Sequence, residues 1–328
     1  MSARGAGPNG LRAGWVRLAG ILILAGLAAW AAGTYVSELS RAGDPVPVER
    51  FSHIHGLEAP AWAGGDLFVS THTGLVRVSA DGAWFEVGDA KHDLMGFRAH
   101  PSEPGVLYGS GHPDLRSGLP NPLGVLRSAD AGRSWEPLAL AGQVDFHALA
   151  VQESDGDVLY GFNVVGSPGL LRSLDGGRTW ESLPSGALLA AGGALALEVD
   201  PGDREVVFAG TQAGLLRSAD GGRRWQAVAF EGVAVTALRF ASGPGHRLYA
   251  YAVDPGAGLV VSQDGGGSWA RLDLVLEGGD AVGHIAVHPF DAEVLFLGSY
   301  DMDVLVSRDG GASWELAAER GTVITGRP

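Results

Sequence analysis

One eight-residue phrase, stated five times at nearly constant spacing, limits this chain more than any other feature. SADAGRSW occupies 128–135, SLDGGRTW 173–180, SADGGRRW 218–225, SQDGGGSW 262–269 and SRDGGASW 307–314. The starts lie 45, 45, 44 and 45 residues apart, a period typical of chains built by stacking one small structural unit. Each residue type in the phrase has a local task. The aspartates Asp130, Asp175, Asp220, Asp264 and Asp309 can accept hydrogen bonds from the N–H groups of their own turn. Glycine supplies the positive φ that a tight hairpin needs. The tryptophan that opens the next strand carries a large apolar surface for packing between sheets.

The flanks repeat as well. Before each phrase runs a short apolar strand: GVLRS (124–128), GLLRS (169–173), GLLRS (214–218), GLVVS (258–262) and DVLVS (303–307). Further upstream lie VLYGSG, VLYGFN, VVFAGT, RLYAYA and VLFLGS, and ahead of those GFRAHP, ALAVQ, ALEVDP, ALRFA and HIAVHP. Four short strands per repeat, punctuated by Gly, Pro and Asp, make one propeller blade. A shortened copy, SADGAW at 79–84, follows HGLEA, DLFVSTH and GLVRVS. The expectation is an all-β, six-bladed β-propeller over residues 51–328. A seventh blade assembled from both termini is the alternative, because GTVITGRP (321–328) has no place in the six.

The phrase resembles the Asp-box, or bacterial neuraminidase repeat, of sialidases, sortilin-type receptors and photosystem II stability/assembly factors. The stretches HIHG, THTG (71–74), KHDLMGF (91–97) and DFHAL (145–149) are similar to a bacterial subgroup labelled glycosyl hydrolase or sialidase-like. The resemblance implies the propeller and leaves activity open, since enzymes and non-enzymes share the repeat.

Ahead of the repeats, Arg4, Arg12 and Arg17 precede LAGILILAGLAAWAAGTYVS (18–37), which carries no charge. Twenty helical residues span roughly 30 Å, the thickness of a bilayer core. The expected order is a cytoplasmic N-terminus (1–17), a transmembrane anchor or signal peptide (18–37) and a linker (38–50). The arginines before the span place the rest outside the cytoplasm; Ala29-Trp30-Ala31 would suit signal cleavage.

Charge and composition narrow the partners. The net charge of −14, with Lys91 the only lysine, excludes a nucleic-acid backbone. The absence of cysteine excludes thiolate chemistry and Cys-based zinc sites. Acidic charge and a single apolar segment exclude a channel.

With the strands of each blade ordered outward from the axis, the repeated phrase joins the third to the fourth, on the face called here the bottom. The second-to-third loops and the blade-to-blade loops share the top, where propellers carry their sites. This sorts the ten histidines. His53, His55, His72, His92, His112, His147 and His284 fall on the top; His100, His246 and His288 fall on the bottom. His100-Pro101 and His288-Pro289 fill the slot of Asp200-Pro201 and read as turn residues. The first three inner strands open with His53-Ile54-His55, Asp93-Leu94-Met95 and Asp145-Phe146-His147, while Gly193-Ala194-Leu195 and Ala234-Val235-Thr236 carry no such groups. Chemistry is thus expected on about half the ring, beside a longer loop at 112–124.

Three readings follow. Imidazoles with the Met95 thioether suit copper or zinc, with Asp93 and Asp145 as ligands or as orienting partners. A glycosidase would use Asp93 and Asp145 as its acid and base, with Tyr300 and Asp301 nearby; the arginines needed to clamp a sialic acid are missing from that face. A non-enzymatic scaffold would use the histidines to line a water-filled channel that receives a small polar ligand or docks an exported protein. The preferred reading is an exported binding protein rather than an enzyme, holding a metal or small polar ligand.

Overall fold

The computed structural model describes residues 46–243, 245–254 and 256–324. The apolar segment 18–37 and the last four residues lie outside these. Among the described residues, no helix is long and apolar enough to cross a membrane.

Six antiparallel sheets follow one another along the chain, each running in sequence order from an inner to an outer strand. The inner strands are Ile54–Glu58, Asp93–Ala99, Phe146–Val151, Ala194–Val199, Val235–Phe240 and Val282–Val287. The sixth sheet gains a fifth strand, Thr322–Val323, which folds back on Glu315–Glu319. Residues 322–323 therefore extend blade six, and the described residues form six blades, not seven. Apolar side chains fill the space between neighbouring blades. Phe162, Leu170, Leu188, Leu197 and Val207, for example, form one cluster between blades three and four. Burying each such side chain stabilises the fold by roughly 1.5–3 kcal/mol.

The ring closes through its N-terminal strap. Val48 N–H donates to Trp84 O at 2.9 Å and Glu86 N–H to Val46 O at 2.9 Å. On the other side Phe51 N–H donates to Gly321 O at 2.8 Å and Val323 N–H to Glu49 O at 2.9 Å. Residues 46–50, read from sequence as the end of a linker, thus bind the outer edges of blades one and six together. Phe51 stacks on Trp84 with ring centroids 5.3 Å apart.

The repeated phrase is a hydrogen-bonded hairpin clip. In the first, Ser128 Oγ donates to Asp130 Oδ1 at 2.8 Å and accepts from Gly132 N–H at 2.8 Å. Asp130 also accepts from Ser134 N–H at 2.9 Å and Ser134 Oγ at 2.6 Å. The pattern recurs at Asp175, Asp264 and Asp309; at Asp220 the residue four on is Arg224, whose N–H donates at 2.8 Å. These donors hold the Asp175 and Asp264 carboxyls down near about 2. The second clip glycine presses on the preceding blade: a Cβ on Gly132 would stand 2.3 Å from Leu75 Cδ2. Between blades six and one, where the clip is shortened, Trp84, Phe296 and Leu316 line an open crevice.

Candidate metal centre on the top face

Every inner strand carries a β-bulge near its top end. Pairing with the second strand jumps from Ile54 to Gly56, Leu94 to Gly96, Phe146 to Ala148, Ala194 to Ala196, Val235 to Ala237 and Val282 to His284. The skipped residues are His55, Met95, His147, Leu195, Thr236 and Gly283. A bulge re-aims the side chain it releases, and the device is common beside functional sites. The expected triplets are therefore in register, with Ile54, Leu94 and Phe146 at equivalent positions. His55, Met95, His147 and Leu195 line one top-face depression.

Two three-residue groups gather there. In the first, His55 Nε2 lies 3.0 Å from His72 Nδ1 and 3.1 Å from Asp93 Oδ1, and His72 Nδ1 lies 3.2 Å from Asp93 Oδ2. Asp93 Oδ1 is buried, yet no donor is aligned to it as a hydrogen bond. In the second, His147 Nε2 lies 3.0 Å and His112 Nε2 3.6 Å from Asp145 Oδ2, while Asp145 Oδ1 is buried without a partner. The ligand atoms of each group lie within 4.8 Å of one another. Asp93 and Asp145, expected as ligands, as orienting partners or as an acid–base pair, stand in direct reach of the imidazoles.

The other candidates separate from these groups. His284 occupies the position held by Gly or Ala in the other blades, and its Nε2 donates to Ile54 O, 3.2 Å away across the closing seam. Burial, with the neighbouring His55, pushes its pKa down to about 3. It lines the depression as a neutral seam residue with its Nε2 committed. His92 Nδ1 accepts from Asp114 N–H at 3.0 Å, which ties down the 112–124 loop; burial lowers its pKa. His53 sits edge-on to His55 and stacks on Tyr300, 6.3 Å between centroids. Burial and the His55 and His72 imidazoles lower its pKa. Asp301 is exposed, and its N–H donates to Asp280 Oδ1. On the bottom, His100 Nδ1 accepts from Glu103 N–H at 2.9 Å just as Asp200 Oδ1 accepts from Asp203 N–H at 3.1 Å, so the turn role holds.

A third group was not singled out from sequence. Four residues beyond each triplet centre, the inner strands place Glu58, Arg98, Ala150, Glu198, Arg239 and Ala286 at one level, paired with Phe68, Tyr108, Tyr160, Phe208, Tyr249 and Phe296. The order Glu-Arg-Ala repeats twice around the ring. Arg98 Nη1 and Arg239 Nη1 donate to Glu58 Oε1 at 2.9 and 2.7 Å, and Arg239 Nη2 donates to Glu58 Oε2 at 3.1 Å. Arg98 Nη2 lies 2.8 Å and Arg239 Nη1 3.9 Å from Glu198 Oε1. Burial would raise the Glu58 pKa, but the two guanidiniums outweigh it and hold the carboxyl low. At Glu198 burial wins and the pKa is raised. This ionic bridge across the axis floors the top depression, and Arg98 lines both that depression and a second, smaller one below. The depression is a cup with an ionic floor.

No family model matches the sequence, and no curated protein matches it. Solved structures share the fold. A GH74 xyloglucanase from Xanthomonas campestris superposes with TM-score 0.59 and 23% identity, covering 83% of this chain and 46% of that one. A GH74 enzyme from Niastella koreensis gives 0.60 at 18% identity, covering 83% and 46%. The chain thus spans less than half the length of either enzyme. The Cps50 (Swd1) β-propeller domain of Myceliophteria thermophila gives 0.52 at 12% identity, covering 86% and 87%. At such identities the likeness establishes the propeller and nothing of its chemistry.

Proposed function

We propose that this chain is an exported Asp-box β-propeller that binds a transition-metal ion, copper or zinc, in its top-face cup, with His55, His72 and Asp93 as ligands. The observation that carries the reading is that His55 Nε2 and His72 Nδ1 stand 3.0 Å apart and face the two oxygens of one carboxylate, Asp93 Oδ1 at 3.1 Å and Asp93 Oδ2 at 3.2 Å. Bonds of 2.0–2.1 Å in a tetrahedron put ligand atoms about 3.3 Å apart, so the two nitrogens and the carboxylate already stand at nearly the separation a shared ion imposes. Two imidazoles and a carboxylate suit copper or zinc better than the oxygen-seeking calcium or magnesium. Export rests on the apolar run at 18–37, read as an anchor or a signal peptide.

Glycoside hydrolysis on the same face has less support. It needs two carboxyl groups free to flank a bond, whereas Asp93 and Asp145 are each faced by two imidazoles. The test is equilibrium dialysis of the full chain against Cu(II) or Zn(II), followed by elemental analysis, beside His55→Ala/His72→Ala. Bound metal that is lost in a variant with an unchanged melting profile supports the reading. A wild-type chain that emerges without metal sinks it and turns the cup towards docking of a small polar ligand or an exported protein.

A further inference from the structure

The second histidine group repeats the first, displaced by one blade. His72 and His112 each stand one residue past the partner of a triplet centre, Thr71 opposite Ile54 and Gly111 opposite Leu94: His72 N–H donates to His53 O at 3.0 Å, and His112 pairs with Asp93. Asp93 and Asp145 both stand one residue before a triplet centre, in the next blade of each pair. His55 and Met95 are both bulge residues. The first group is therefore bulge residue, loop histidine and next-blade aspartate: His55, His72, Asp93. Its counterpart one blade on is Met95, His112, Asp145, with His147 added from the following bulge. No such set recurs further round, where Val164 and Gly193, Gln212 and Ala234, and Val253 and Ala281 hold the corresponding places.

From this equivalence, and resting on the metal-binding reading above, we propose a second ion site at the seam of blades two and three. His112, His147, Asp145 and the Met95 thioether hold it, and it prefers copper(I). The Asp145 side chain is 2% exposed; its Oδ2 faces the His147 and His112 Nε2 atoms, and its Oδ1 is buried without a partner. Asn121 Oδ1 lies 2.9 Å from His112 Nδ1. Accepting the Nδ1 proton fixes the tautomer and leaves the Nε2 lone pair turned towards Asp145, the arrangement that outer partners of metal-bound histidines provide. Met95 lines the same depression as His55 and His147. Exchanging an imidazole for a thioether softens the donor set, and soft sulfur ligands select copper(I) over harder divalent ions. The two sites then differ in kind: nitrogen and oxygen donors in the first, sulfur added in the second.

The experiment titrates the full chain anaerobically with copper(I), kept reduced by ascorbate and competed with a chromogenic chelator. Wild type, His55→Ala/His72→Ala, His112→Ala/His147→Ala and Met95→Leu are compared, with thermal melts as the folding control. The expected result is two copper ions per wild-type chain and one in each histidine double variant. Met95→Leu, which conserves volume, weakens the tighter copper(I) site by roughly tenfold and leaves zinc binding unchanged. One ion in the wild type, lost only with His55 and His72, overturns the second site and leaves the first standing. No ion in any form overturns both. Unaltered copper(I) affinity in Met95→Leu removes the thioether from the site.

Discussion

The ionic bridge that floors the cup makes a prediction sharp enough to fail. Glu58 and Glu198 are both buried glutamates facing the same two arginines, so a count of charges would give them equal worth. The geometry does not. Glu58 accepts three charge-assisted hydrogen bonds at 2.7–3.1 Å from two guanidiniums, whereas Glu198 has one close guanidinium contact and a second at 3.9 Å. Glu58→Gln keeps the shape but removes the charge and turns an N–H₂ towards donors. Breaking one partner of a buried pair costs about 3–5 kcal/mol. For about 280 residues unfolding at ~2.1 cal/mol/K each, that corresponds to a drop of ~5–9 °C in Tm. Glu198→Gln removes a carboxyl that burial already pushes towards its neutral form; its cost at neutral pH is about 1 kcal/mol or less, ~2 °C.

The two variants also respond to pH with opposite sign. Glu58 has a folded pKa below its ordinary 4.5, so its contribution is present above that value and lost as pH falls through the folded pKa. The deficit of Glu58→Gln relative to wild type therefore narrows in acid. Glu198 has a folded pKa above 4.5, so its contribution is present below that value and lost as pH rises through the folded pKa. The deficit of Glu198→Gln narrows towards neutrality. Thermal melts of the three proteins from pH 4 to 8, followed by circular dichroism, read both effects. Equal costs at pH 7, or parallel pH trends, would refute the unequal sharing of the two arginines.

Two further outcomes test how the top face is held. His284→Ala, at the closing seam, should lower stability by about 1–3 kcal/mol through loss of the bond to Ile54 O and leave metal stoichiometry intact; wild-type stability should fall as pH drops from 6.5 towards about 3, because only the unfolded state takes up that proton, and a lost ion in the variant would return His284 to the ligands. Gly96→Ala would set a Cβ 2.4 Å from Phe146 O; displacing the residue between Asp145 and His147 should cost about 1–3 kcal/mol and abolish the second ion in dialysis, while Gly186→Ala, with open space around it, is silent.

What the sequence makes legible follows from what repeats. The clips carry their hydrogen bonds within seven residues, so Ser128, Asp130, Gly132 and Ser134 announce their partners by spacing alone. The alignment of Ile54, Leu94 and Phe146 holds because all three precede the same bulge, and that bulge brings His55, Met95 and His147 to one cup. The fifth strand of blade six escapes, because its partners lie at 315–319 while the strap it meets lies at 49–51, at the far end of the chain. His284 reads as one more top-face histidine until the register shows it in a slot where other blades have Gly or Ala. Glu58, Arg98, Glu198 and Arg239 are visible in the sequence as charges flanked on both sides by apolar residues in the inner strands, GFRAHP, ALEVDP and ALRFA among them. Their pairing, across as many as 181 residues, becomes apparent only when the repeats are laid in a ring.

That ring links the scaffold to the proposed chemistry. Four of the six seams carry a bond from one blade to the backbone around the next triplet centre: Ser70 Oγ to Leu94 O at 3.2 Å, Phe146 N–H to Ser110 Oγ at 2.9 Å, Thr236 Oγ1 to Val282 O at 2.7 Å, and His284 to Ile54 O. Asp93 and Asp145 adjoin two of those centres. The carboxylates are thereby held by one blade while His72 and His112 come from the blade before, so each group straddles a seam. Sites assembled in this way depend on the angle between blades, and the ionic bridge below them couples blades one, two, four and five. Loosening that bridge with Glu58→Gln should therefore weaken metal binding as well as lower Tm, although Glu58 touches neither group. Unchanged metal affinity in that variant would show that the seam bonds alone set the geometry of the cup.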